Sequence, residues 1–150
     1  MKQVEESYSS KWRIFEDVAF SERDMEFQYN WYISRFGFKN EEGLKKFLES
    51  KSCILDAGCG VGKAIGWFSN FSRGKVFGVD ISADTISIAY KHYGMRPNVH
   101  FIQADIRNLP FKREIFDYIS CDQVIHHTPD PEATFDHLVK FLRIGGQIVA

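Results

Sequence analysis

The chain has 150 residues, of which 44% are hydrophobic and 26% charged, with a formal net charge of −1. That composition suits a soluble globule able to bury a core, and the charge offers no field for nucleic acid or an anionic membrane. No apolar run reaches the length of a membrane span and the first residues do not read as a signal peptide. The cysteines at 53, 59 and 121 lack metal-finger spacing, so reduced thiols and a cytoplasmic location are expected.

Residues 1–50 read as helical and rich in aromatics. Trp12, Phe15, Val18 and Ala19 share one face at helical spacing, and Phe27, Trp31, Tyr32 and Arg35 continue a second amphipathic segment. Phe36-Gly37-Phe38 breaks that pattern. Glu41 to Glu49 follows as a short helix with Leu44, Phe47 and Leu48 inward. This region is expected to be a helical cap, either packed on the sheet or closing over a ligand as a lid.

From residue 51 onward strands and helices alternate, forming a second region over 51–150. Cys53 to Leu55 is a buried strand that stops at Asp56, and Ala64, Ile65 and Phe68 open a helix. Lys75 to Val79 is a strand ending at Asp80, and Ile86, Ala89, Tyr90 and Tyr93 mark the inner face of the next helix. Asn98 to Gln103 is a third strand reaching Ala104-Asp105, and Ile115 to Ser120 a fourth, followed by a loop to Thr128. Asp130 caps a helix with Pro131 at its first position and Glu132 near its positive end. Phe135, Leu138, Val139 and Leu142 carry that helix inward, Gly145-Gly146 ends it, and Gln147 to Ala150 opens a fifth strand. This alternation predicts an α/β fold with parallel strands and right-handed crossovers. The chain stops inside the fifth strand, which would leave a raw edge, so a fragment of a longer protein is expected.

Between the first strand and its helix, glycines at 58, 60 and 62 allow a sharp turn and close approach of a ligand to backbone amides. A helix N-terminus adds free N–H groups and partial positive charge, so the polar end of a nucleotide-like ligand belongs there. A phosphate-cradling P-loop would need glycine at 57 and a hydroxyl at 64, where the chain has Ala57 and Ala64. The dinucleotide pattern from Gly58 and Gly60 would need glycine at 63, which is Lys63. Further carboxylates stand at later strand ends. Asp80 suits a vicinal diol, able to take both ribose hydroxyls in charge-assisted bonds, or else caps the helix after Ser82. Asp105 suits an adenine amino group with the Ile106 amide on a ring nitrogen, and Ile81 and Ile106 suit the faces of the base. Lys63 reads as a solvated side chain of the first turn, and Cys59 as a small packing residue. His126 and His127 are the candidate general bases, since imidazole titrates near working pH. A metal centre there would need a third ligand such as Asp122 or Asp130, and none is assigned.

Ile54 to Gly62, Val79-Asp80-Ile81-Ser82, Gln103 to Phe111, Phe116 to Ser120, His126-His127-Thr128-Pro129-Asp130-Pro131 and Leu142 to Gly146 occur in an order that resembles the class I S-adenosylmethionine (SAM)-dependent methyltransferases. The subgroup resembled acts on small molecules and carries His-His after its fourth strand. The likeness covers 52–150. It implies a Rossmann-like, doubly wound, mostly parallel sheet of seven strands, of which five are present. It also implies S-adenosyl-L-methionine as cofactor, S-adenosyl-L-homocysteine as product, and a small-molecule acceptor with oxygen or nitrogen favoured over carbon. Cofactor contacts are implied at Asp56, Ala57, Gly58, Gly60, Asp80, Ile81, Asp105, Ile106 and, after the fourth strand, Cys121 or Asp122. Two departures stand out: a carboxylate at Asp122 where the family has an apolar or small residue, and Ile144 where it has proline. The rival readings are an NAD-dependent oxidoreductase and a SAM-binding module without catalysis.

Overall fold

A computed structural model describes residues 16–150; the expected contacts of Trp12 and Phe15 lie outside the described residues. Five strands form one sheet: β1 (Cys53–Ala57), β2 (Lys75–Asp80), β3 (Val99–Gln103), β4 (Phe116–Ser120) and β5 (Leu142–Val149). Their order is β3-β2-β1-β4-β5, and every neighbouring pair is parallel. The order reverses between β1 and β4, which opens a crevice beyond their carboxyl ends.

Helices cover both faces. Helix α1 (Glu22–Arg35) and α2 (Glu41–Glu49) precede the sheet, α3 (Lys63–Phe71) joins β1 to β2, α4 (Ala83–Tyr93) joins β2 to β3, and α5 (Pro131–Val139) joins β4 to β5. Their starts are written locally. The side chains of Ser21, Asn40, Ser82 and Asp130 each accept a backbone N–H of the first turn, and Pro131 opens α5. The exception is α3, whose N-cap is Gly62 and which has no side-chain cap. At the opposite end of the sheet Asp117 fixes the start of β1. Its carboxylate accepts from Ser52 N at 2.7 Å and Cys53 N at 2.8 Å, and pairs with Arg143 at 2.9 Å.

Alternation along the strands divides the core in two. Ile54, Val76 and Tyr118 face one side, where they meet Tyr32 of α1, Leu44 and Leu48 of α2 and Trp67 and Phe68 of α3. Leu55, Val79 and Ile119 face the other, with Ile106, Leu109, Leu138 and Phe141, and Phe116 joins them from the irregular start of β4. Leu48 has no exposed surface, and its truncation to alanine would cost about 2–5 kcal/mol.

Several faces differ from the sequence expectation. Val18 and Phe27 point to solvent, Phe27 being 62% exposed. The inner face of α1 is Met25, Tyr29, Tyr32 and Ile33, because that stripe meets α3. Ala89 is buried as expected, but Tyr90 is exposed and Thr85 and Ile88 are buried in its place. Phe135 and Val139 are partly exposed, and Thr134 and Leu138 carry the burial of α5. Gly145 and Gly146 lie inside β5 rather than ending a helix: α5 stops at Val139, and the register of β4 with β5 shifts between Phe116 and Tyr118.

Candidate functional site

The crevice at the β1/β4 switch holds a cavity of about 590 Å³. The glycine turn forms its floor, the tips of β2 and β3 one wall, and the loop after β4 the other; Gln28 of α1 and Trp67 of α3 close the side. Of the residues singled out in the sequence, Asp56, Gly58, Gly60, Asp80, Ile81, Asp105, Ile106, Asp122 and His127 line this space. Ala57 and Cys121 are buried behind it, and His126 is not on its wall.

The turn is held by hydrogen bonds to β2 and within itself. Gly58 and Cys59 both donate to the Val79 carbonyl, at 2.7 and 2.9 Å, and Gly62 donates to the Cys59 carbonyl at 2.9 Å. Gly60 donates to Oδ2 of Asp80 at 2.9 Å. These amides are therefore engaged within the protein, contrary to the expectation of bare amides, and what glycine supplies is shape. Gly58 has φ +83, and a Cβ there would lie 2.4 Å from Val124 Cγ2; Gly60 has φ +53, and a Cβ there would meet no atom within 4 Å.

Asp80 is both clasp and candidate ligand group. Besides Gly60 it accepts from Ser82 N at 2.9 Å and Thr85 Oγ1 at 3.0 Å, so the capping role and the site role coexist. An ionised carboxylate has about four acceptor directions, and three are used. A diol gripped through both hydroxyls must share one of those internal bonds. Asp105 is locked by its neighbour: Arg107 donates from its backbone N at 2.9 Å and from Nε to both oxygens at 3.0 and 3.1 Å. That guanidinium, against the effect of burial, holds the Asp105 carboxyl below its ordinary value. Gln103 Nε2 donates to the Ile81 carbonyl at 3.1 Å and fixes the backbone at the tip of β2.

The remaining carboxylates are pushed upward. Burial, then the charges of Asp122 and Asp80, raise Asp56 to about 8 against a hydrogen bond from Ser120. Burial raises Asp122 to about 6 against the pull of Arg35. Such a site favours a cationic occupant, which would restore charge to both. Burial also lifts the Cys121 thiol to about 12 and the Cys59 thiol well above its usual range, so neither is a nucleophile near neutral pH. His126 and His127 lie on a single 3₁₀ turn, their rings 4.0 Å apart. Burial and then His126 lower the His127 pKa, which leaves a neutral ring on the cavity wall. Among the described residues no group of three or more His, Cys, Asp or Glu side chains is arranged to hold a metal ion.

Sequence reasoning expected a helical cap or lid here but named none of the α1 residues that reach the site. Gln28 reaches the cavity, and Asp24 pairs with Lys63, whose side chain is only 14% exposed rather than solvated. These residues are brought together by tertiary packing across 39 positions of sequence, and no local pattern announces such a pairing.

The profile of the family described as "Methyltransferase domain" matches residues 55–150. Methyltransferase GfsG of Streptomyces halstedii is 31% identical over 98 residues, which cover 63% of this chain and 35% of that protein. Phosphoethanolamine N-methyltransferase 3 of Arabidopsis thaliana is 29% identical over 121 residues, 79% of this chain and 25% of its own. Among solved structures, the PH0226 protein from Pyrococcus horikoshii OT3 aligns with a TM-score of 0.69 and 28% identity, covering 93% of this chain and 63% of that one. The chain thus spans no more than about a third of the length of these two curated relatives. Motif order, parallel five-stranded sheet and family match agree: the chain belongs to the class I SAM-dependent methyltransferases.

Proposed function

We propose that the cavity binds S-adenosyl-L-methionine and that the protein methylates an oxygen or nitrogen of a small-molecule acceptor, leaving S-adenosyl-L-homocysteine. The observation that carries this reading is the convergence of Asp56, Asp80 and Asp122 on one cavity above a glycine turn. Those carboxylates suit a ligand bearing an ammonium and a sulfonium. Asp80 suits the ribose, Asp105 and the Ile106 amide suit the adenine edge, and Ile81 and Ile106 suit its faces. The uncapped start of α3 suits the amino acid carboxylate.

The bound cofactor supplies an activated methyl group on a sulfur that leaves as a neutral thioether. The protein's task is then alignment, worth about 7–11 kcal/mol when the acceptor is held near attack geometry. His127, neutral at working pH, takes the proton that a hydroxyl or ammonium acceptor gives up. The Arabidopsis relative is named for transfer to a nitrogen, which supports nitrogen among the acceptors. The share of the relatives spanned by this chain favours one second reading, in which this stretch binds the cofactor and turnover needs more of the protein.

Titration of the purified chain with S-adenosylhomocysteine and separately with NADH tests the binding step. Saturable binding of the first alone is expected; binding of NADH alone would overturn the reading. Release of S-adenosylhomocysteine from SAM with a panel of small amines and alcohols then separates the catalytic reading from the binding-only one.

A further inference from the structure

Beneath the cavity a chain of buried hydroxyls runs from α1 to Asp56. In the parallel pairing of β1 with β4, Asp56 lies opposite Ser120 and Ile54 opposite Tyr118. All four face the side of the sheet that α1 covers, and α1 lowers Tyr32 onto them until 1% of its surface remains exposed. Tyr32 Oη is hydrogen-bonded to Tyr118 Oη and donates to Ser120 Oγ at 3.1 Å. Ser120 stands directly across the β1/β4 pairing from Asp56, on the same face of the sheet, and its hydroxyl favours the Asp56 carboxylate against burial.

Each hydroxyl has one proton, which sets the direction of the chain. With Tyr32 donating to Ser120, Tyr118 is the donor to Tyr32, and the Ser120 proton is left for Asp56. Burial holds both phenols protonated, so both remain able to donate across the working pH range. Packing alone does not call for two phenols here. Phenylalanine would fill the same space without polar atoms that must be paired once buried. The arrangement spends its hydroxyls on one outcome, a donor fixed on the carboxyl at the floor of the site.

We infer that Tyr32 is a positioning residue for the cofactor site: through Ser120 it fixes the orientation and charge of Asp56, so that docking of α1 and binding of the cofactor are coupled. This rests on the SAM-binding reading above. The groups that face Asp56 from the elements around it are Asp122 from the loop after β4, Asp80 from β2, Cys59 from the glycine turn, and Cys121 and Tyr118 from β4. All of them, when ionised, oppose a second negative charge. Arg35, also on α1, acts on Asp122 rather than on Asp56. The donor from Ser120 is thus the main protein group favouring the Asp56 carboxylate, and α1 governs it.

The test is Tyr32→Phe, read in two ways on the folded chain. Binding of S-adenosylhomocysteine near neutral pH is expected to weaken roughly fivefold and to recover as pH is raised. The Asp56 carboxyl, followed by its ¹³C shift in the ligand-free protein, is expected to titrate higher than in the wild type. Ser120→Ala reproduces both shifts and serves if Tyr32→Phe does not fold. Tyr118→Phe, which removes the far end of the chain but not Tyr32 or Ser120, shifts both readouts in the same sense by less than Tyr32→Phe does and lowers thermal stability. An unchanged Asp56 midpoint and an unchanged binding profile in Tyr32→Phe and Ser120→Ala would reduce Tyr32 to packing and overturn the inference. A wild-type chain that does not bind S-adenosylhomocysteine would instead sink the site reading, and the carboxyl midpoint alone would then decide the coupling.

Discussion

The backbone N–H of Gly60 donates to the Asp80 carboxylate at 2.9 Å, which ties the glycine turn to the tip of the neighbouring strand. A cofactor whose sugar meets Asp80 therefore meets a group that already sets the shape of the loop. Binding and loop geometry are not independent here, and a change at position 80 acts on both.

Asp80→Ala is predicted to weaken binding of S-adenosylhomocysteine by about 1.5–3 kcal/mol through loss of a charge-assisted bond. It also lowers the thermal midpoint, because the amides of Gly60 and Ser82 lose their acceptor, while the Thr85 hydroxyl keeps the Ser82 carbonyl at 3.0 Å. Calorimetric titration and thermal unfolding read the two effects separately. Unchanged affinity would mean that the sugar lies elsewhere.

Glycines 58 and 60 are predicted to fail differently. Gly58→Ala forces a Cβ against Val124 and destabilises the fold. Gly60→Ala costs about 1 kcal/mol for its left-handed backbone, but its Cβ meets no protein atom within 4 Å. The Gly60 variant should fold and lose cofactor affinity, since the methyl group would stand where the ligand approaches. Equal affinity in Gly60→Ala and wild type would show that this face of the turn is not in contact with ligand.

Stability of the ligand-free chain is predicted to fall between about pH 6.5 and pH 8. Asp56, raised to about 8, and Asp122, raised to about 6, keep protons that the unfolded chain has lost. The stability linked to each is full below the ordinary aspartate pKa and is lost as pH climbs through the raised value. The lowered pKa values of His127 and His137 act in the opposite sense, but only below about pH 6.5. Above that, Asp56 dominates. Thermal melts should show a midpoint lower at the alkaline end, with the slope largely removed in Asp56→Asn. A cationic ligand should also expel protons, seen as a buffer-dependent heat of binding near neutral pH.

His127→Ala is predicted to lower the rate of methyl transfer to a hydroxyl or ammonium acceptor by about 10²–10⁴-fold, with S-adenosylhomocysteine affinity held. Initial-rate kinetics and the same titration check the two halves. An unaltered rate would leave His127 as a wall residue only.

Much of the strand half of this site is legible in the sequence because parallel strands end where a short apolar run meets an aspartate. Asp56, Asp80 and Asp105 announce themselves in that way, and the crossover rule then brings the strand ends to one edge. The choice between Cys121 and Asp122 was not legible: β4 is buried on both faces, so alternation does not say which residue turns to the crevice. The helical half was misjudged for a related reason. On an aromatic-rich segment such as α1 more than one stripe satisfies a 3.6-residue period, and Phe27 and Tyr32 look equally apolar. What selects Tyr32 is a hydroxyl partner 86 residues away on β4. Gly145 and Gly146 misled similarly, since two glycines end a helix or relax a strand equally well, and Phe141 already turns inward before them.

In the proposed complex the nucleoside of the cofactor lies across the tips of β1, β2 and β4. The most direct test of that placement is a crystal structure with S-adenosylhomocysteine bound. A ribose hydroxyl is expected within hydrogen-bonding distance of the Asp80 carboxylate, with the purine between Ile81 and Ile106. A nucleoside bound away from Asp80, with the glycine turn untouched, would contradict it.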